Sequence, residues 1–139
     1  MRILTVFCAT LMVIVGAYWF NASKDHSTHQ TAQRLSDGVE ISLPVLSSVA
    51  EAGETLFHEN CSACHGQHAI GSDRGPPLIH IIYEPSHHND GSFYRAVAQG
   101  VRGHHWRFGN MPRIEGVGEA DVEKIIVYVR ETQRANGIN

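Results

Sequence analysis

Five consecutive residues, Cys61-Ser62-Ala63-Cys64-His65, constrain this 139-residue chain more than any other feature. C-x-x-C-H is the spacing of covalent haem attachment. Two thiols one helical turn apart add across the vinyl groups of a porphyrin, and the imidazole that follows is placed to reach iron as the proximal ligand. Two other chemistries use paired cysteines. A redox-active C-x-x-C belongs in an α/β setting, which the flanking sequence does not offer. A zinc site needs a second ligand pair, for which His80, His87 and His88 offer only a loose fit. The third cysteine, Cys8, lies far away, so a disulfide framework is a poor reading.

The segments around the motif differ in character. From Ile3 to Phe20 no residue is charged, and as a helix the run would span about 27 Å, enough to cross a bilayer core. Met1-Arg2 is a short positive region, so a cleaved signal peptide is the rival reading. Cleavage after Val15-Gly16-Ala17 would leave Tyr18-Trp19-Phe20 as an apolar new terminus. Those aromatics suit the interfacial belt of an uncleaved helix, and Arg2 keeps the N-terminus cytoplasmic. The expectation is a single-pass anchor over residues 1–22, with the rest of the chain on the periplasmic side of an inner membrane. The alternative is a soluble periplasmic protein after cleavage. Cys8 reads as a membrane-embedded thiol.

Residues 23–46 are polar and without sustained periodicity, and read as a tether. The folded domain is expected over residues 47–139. Ala50 to Asn60 is helix-like, with Ser47 or Ser48 as N-cap and Glu51 and Glu54 early, where the helix dipole favours negative charge. Gly and Pro between Gly66 and Pro85 predict loop, and Ser92 to Gly100 a short helix closed by Gly100. From Glu119 to Ala135, Val122, Ile125, Ile126 and Val129 follow i, i+3, i+4, i+7, with Glu123, Lys124, Arg130 and Glu131 elsewhere on the helix. No strand pair of comparable quality is visible.

Composition excludes one class of partner. With 14 acidic against 11 basic residues the chain has a formal charge of -3, and nothing in it suggests nucleic-acid binding. Ten histidines are the anomaly, and they suggest metal or cofactor chemistry beside the bland reading of solvated side chains.

From about Gly53 to Arg130 the chain resembles the class I c-type cytochromes. Five family elements occur in order: Gly53-Glu54-Thr55-Leu56-Phe57, then Cys61 to Gly66, then Gly75-Pro76-Pro77-Leu78, then Gly109-Asn110-Met111-Pro112, then Ile125 and Tyr128 in the final helix. The resemblance implies an all-α cytochrome c fold, about three to five helices around one covalent haem c, here preceded by a transmembrane helix. It implies that the Pro76 carbonyl takes the second ring proton of His65, that Leu78 packs on the haem, and that Met111 is the distal ligand, with His104 or His105 as alternatives. His65 and Met111 would then hold the iron. Gly53 should let the last helix approach closely, with Phe57 filling the crossing against Ile125 and Tyr128.

The implied function is a mono-haem carrier of single electrons between membrane-bound or periplasmic oxidoreductases, not an enzyme; a haem subunit of a larger oxidoreductase is the variant reading. Two features exceed the family pattern. His87-His88 and His104-His105-Trp106 place four imidazoles and an indole near the distal loop, where Trp106 would cover a haem edge and the histidine pairs suit a second metal. Arg95, Arg102, Arg107 and Arg113 face a single acid, Asp90, between Ser86 and Arg113, a basic rim suited to an acidic redox partner.

Overall fold

The chain has a computed structural model that describes residues 31–34 and 40–139. The expected anchor and Cys8 lie outside the described residues. Among the described residues no helix is long and apolar enough to cross a membrane. Among those residues four α-helices dominate: α1 (Ser48–Asn60), α2 (Ser62–His65), α3 (Asp90–Gln99) and α4 (Glu119–Ala135). Three-residue 3₁₀ turns at Gln67–Ala69 and Ile81–Tyr83 punctuate the loop between α2 and α3.

The first and last helices make the frame. Helix α1 starts where the Ser47 hydroxyl accepts the Ala50 N–H at 3.2 Å, satisfying one of the free donors of the first turn. The same hydroxyl donates to the Glu131 carboxylate at 2.7 Å, so the cap is tied to α4. Helix α4 opens with Glu119 and Asp121, favourable at a helix N-terminus. It buries Val122, Ile125, Ile126 and Val129, the stripe its periodicity predicts.

The two helices cross at Gly53. A Cβ there would stand 2.0 Å from the Lys124 carbonyl oxygen, a distance no side chain tolerates, so only glycine permits this approach. One turn on, Phe57 is 2% exposed and meets Tyr128 with ring centroids 5.6 Å apart. Ala50, Ala69, Leu78, Ile125 and Val129 complete the core. Full burial of a ring such as Phe57 contributes roughly 1.5–3 kcal/mol.

The structure departs from the sequence reading in two places. Within the stretch read as tether, strands β1 (Thr31–Arg34) and β2 (Glu40–Leu43) pair antiparallel, Thr31 opposite Leu43 and Arg34 opposite Glu40. Neither strand alternates cleanly. The second is held by contacts distant in sequence: Ile41 is buried, and the Asn136 side chain both accepts from the Ser42 N–H and donates to the Ser42 carbonyl, each at 2.9 Å. The other departure is on α4, where Arg130 is 6% exposed and Gln133 fully buried. The guanidinium donates to the Asp90 carboxylate, the Tyr83 and His88 carbonyls and the Gln133 side chain, and lies over the Phe93 ring. Its charge goes inside because the loop before α3 presents it with acceptors.

Candidate functional site

The C-x-x-C-H motif straddles the end of α1 and the single turn of α2. Cys61 ends α1 by donating its N–H to the Phe57 carbonyl at 2.8 Å, and its own carbonyl accepts from the His65 N–H at 2.9 Å. The turn therefore carries both thiols and the imidazole as one rigid unit. Gly66 follows at φ +75°, and a Cβ there would lie 2.0 Å from the Gly71 carbonyl oxygen. The loop then folds back so tightly that a Cβ on Gly75 would approach the Cys64 carbonyl oxygen at 2.7 Å.

That return places the Pro76 carbonyl beside His65, whose Nδ1–H donates to it at 2.9 Å. The tautomer follows, because a carbonyl can only accept: Nε2 keeps the ring's lone pair. Burial holds the imidazole below its usual pKa, partly offset by this hydrogen bond. Burial and the neighbouring Cys64 push the Cys61 thiol up to about 11. A redox-active C-x-x-C pair needs a lowered thiol pKa, the opposite of what burial does to Cys61.

A cavity of about 660 Å³ opens beside this unit, within the usual range for a pocket that buries most of a ligand, roughly 300–1,000 Å³. Cys61, Cys64, His65, Pro76, Leu78, Trp106 and Met111 all line it. The seven residues singled out in the sequence thus converge on one space. The sequence reading missed how Met111 is held there. Val101 and Met111 form an isolated antiparallel bridge, with N–H to O distances of 3.0 and 2.9 Å in the two directions. Gly100, at φ +76°, ends α3 and lies so close that a Cβ would come within 2.4 Å of the Met111 carbonyl oxygen. Gly100 is legible in the sequence as a helix stop, but its second role depends on a contact with the loop's far end.

These residues fit a covalently held haem. The cavity is mainly apolar, two thiols and an imidazole stand on one unit, and a thioether enters from another loop. One buried polar atom also asks for a partner. The Trp106 indole N–H has none among the described residues; burial pushes the nearby Tyr83 phenol above its usual pKa, an effect the indole partly offsets. A propionate carboxylate would supply that acceptor. The ring itself is set edge-on against His80, centroids 5.1 Å apart.

On the rim of the same cavity the two histidine pairs merge into one cluster. His104 and His105 have ring centroids 4.1 Å apart, His87 and His105 5.3 Å, and His88 and His105 5.2 Å. His105 is held below its usual pKa by partial loss of water and by His104, His88 and His87. The arginines are less uniform than their sequence suggests. Arg95, Arg102 and Arg107 are exposed and make no ion pair among the described residues, whereas Arg113 is paired with Glu115.

Comparison with family models matches residues 50–133 to the family described as Cytochrome c. Neither curated proteins nor solved structures give a significant match.

Proposed function

The chain belongs to the cytochrome c family, and from that premise we propose that it is a mono-haem electron carrier in which His65 and Met111 are the two axial ligands. Haem c, attached through thioethers at Cys61 and Cys64, supplies a one-electron couple at its iron. The observation that carries the reading is the way this chain prepares both donors. His65 has its Nδ1 proton committed to Pro76, which leaves Nε2 free, orients the ring and makes it the stronger donor. Met111 is fastened to Val101 at the lip of the same cavity. Its neutral, soft sulfur favours the reduced state of an iron it binds and so raises the potential. With His65 and Met111 both holding the iron, no coordination site would be left for a substrate, which separates a carrier from a peroxidase-like catalyst. Leu78 and Phe57 would keep the attachment side apolar, and the Trp106 N–H would serve a propionate.

The optical spectrum of the holoprotein tests this directly. Six-coordinate low-spin bands with a weak methionine-to-iron band are expected, lost in Met111→Ala. Met111→His should stay low-spin at a lower potential, since axial-ligand identity moves haem potentials within a range of about 0.8 V. High-spin bands in the unaltered protein would favour the enzyme. A Met111→Ala protein with unchanged spectrum and potential would hand the axial position to another group.

The location and the partners belong to the same proposal. The uncharged run from Ile3 to Phe20 supports a single-pass anchor that keeps the haem domain on the periplasmic face of an inner membrane. Arg95, Arg102 and Arg107 support acidic partners, membrane-bound or periplasmic oxidoreductases that give and take the electron, with nucleic acid excluded. N-terminal sequencing of the mature protein and its partition between membrane and soluble fractions decide the first point. A soluble chain beginning near Tyr18 would replace the anchor with a signal peptide.

A further inference from the structure

We propose that His87, His88 and His105 form a second metal site, which takes one divalent ion of the zinc class on the rim of the haem cavity. The argument starts from spacing. The ligand-capable atoms of the three side chains lie within 4.8 Å of one another. Two of them, Nε2 of His87 and Nε2 of His105, stand 3.3 Å apart. Two nitrogens at zinc-ligand distance on adjacent corners of a tetrahedron are separated by about 3.3–3.4 Å. The pair already has the edge length that one shared ion requires.

The third ligand is prepared by its protons. His88 donates its Nδ1–H to the Ile82 carbonyl at 2.6 Å, so its Nε2 carries the lone pair. A metal-bound histidine is typically fixed in this way, with the remote nitrogen held by a carbonyl that sets tautomer and ring orientation. The Arg130 guanidinium in turn holds the His88 backbone through its carbonyl. His104 is tilted against His105 and donates its own Nδ1–H to the Arg102 carbonyl at 2.9 Å. It is not among the three side chains whose ligand atoms lie within 4.8 Å of one another, so it stays outside the ligand set and the fourth corner is left to water.

The segments that carry these residues are separate in sequence. His87 and His88 precede α3 and His105 lies in the loop that follows it, so a bound ion would cross-link the two sides of the cavity mouth. Imidazole is a borderline donor that suits zinc, copper and nickel in preference to magnesium or calcium. On the axial pair proposed above, His65 and Met111, the haem calls on none of these three rings.

Full-length holoprotein dialysed against zinc alone and then analysed for iron and zinc together tests the site, with iron counting the protein. One zinc per iron is expected. His87→Ala and His105→Ala should each weaken zinc binding by more than about tenfold, with the haem spectrum reporting that both variants fold. His58→Ala, on the exposed face of α1, should bind as the unaltered protein does. Copper(II) added in place of zinc should show nitrogen ligation in its paramagnetic resonance spectrum, lost in His105→Ala. Zinc content no higher than trace, zinc retained when His87 and His105 are both changed, or copper without nitrogen ligation would each reduce the cluster to hydrogen-bonded imidazoles. A high-spin haem on adding zinc would show that a histidine had been pulled off the iron, and would also overturn the proposal.

Discussion

The Arg130 guanidinium, buried on the last helix, donates to the backbone carbonyl of His88 at 2.5 Å. A charge in the core thereby sets the position of a rim histidine that lies 42 residues earlier. Arg130→Met would fill the same volume but leave the His88 carbonyl and the Gln133 side-chain oxygen without their donor, while the Tyr83 carbonyl keeps the Gln133 amide. Each buried acceptor stranded in this way costs about 1–3 kcal/mol, while Asp90, largely solvated, loses little. Unfolding of the holoprotein in denaturant should show a loss of roughly 2–4 kcal/mol. Arg130→Lys should fall between, because an ammonium cannot span the four acceptors that the planar fork reaches. An unchanged midpoint in Arg130→Met would mean that the network holds nothing together.

Gly53→Ala adds one carbon where the Lys124 carbonyl oxygen would be 2.0 Å away. Backbone cannot rotate aside as a side chain can, so α1 and α4 must separate. The expected loss is about 1–3 kcal/mol or more, read as a lower thermal midpoint with the low-spin spectrum retained below it.

At Gly100 the same substitution acts on function. Its φ of +76° disfavours alanine, and the new carbon would press on the Met111 carbonyl at 2.4 Å. The clasp that holds Met111 should loosen. Gly100→Ala is expected to weaken the methionine-to-iron band and lower the potential, whereas Gly109→Ala, with open space around it, should carry only its backbone cost.

Trp106→Phe keeps a ring against His80 and removes a buried indole N–H that lacks a partner among the described residues. If that N–H serves a propionate, its loss leaves more negative charge beside the iron and stabilises the oxidised state. A redox titration should give a lower potential with unfolding little changed. An unchanged potential would return Trp106 to packing alone.

Much of this arrangement can be read from the chain before any coordinates, for reasons that differ by residue. The α4 stripe and the Ser47 cap are local: periodicity and a hydroxyl before a helical run carry them. Gly53 was readable because a resemblance supplied the crossing partner. Arg130 was not, since polarity assigns it to the outside and its acceptors lie in a remote loop. The β1–β2 hairpin was missed because Ile41 and Ser42 draw their support from tertiary contacts, including the side chain of Asn136. The histidines appeared as two pairs. Only the fold around α3 makes them one cluster.

The bridge between Val101 and Met111 has a use beyond holding a sulfur atom. It fastens both ends of the segment 102–110, and inside it the Gly103 N–H donates to the Asn110 side chain as a second rung. His105 and Trp106 lie between those rungs and line the same cavity as Met111, whereas Arg107 does not and is exposed. Doubling the length of a flexible loop costs only about 0.6 kcal/mol of closure entropy, so a foreign binding loop could be inserted at the exposed Arg107 with His105 and Trp106 kept in place. A sensor made this way would carry its own redox reporter a few residues from the grafted sequence, with the reporter's ligand left in place.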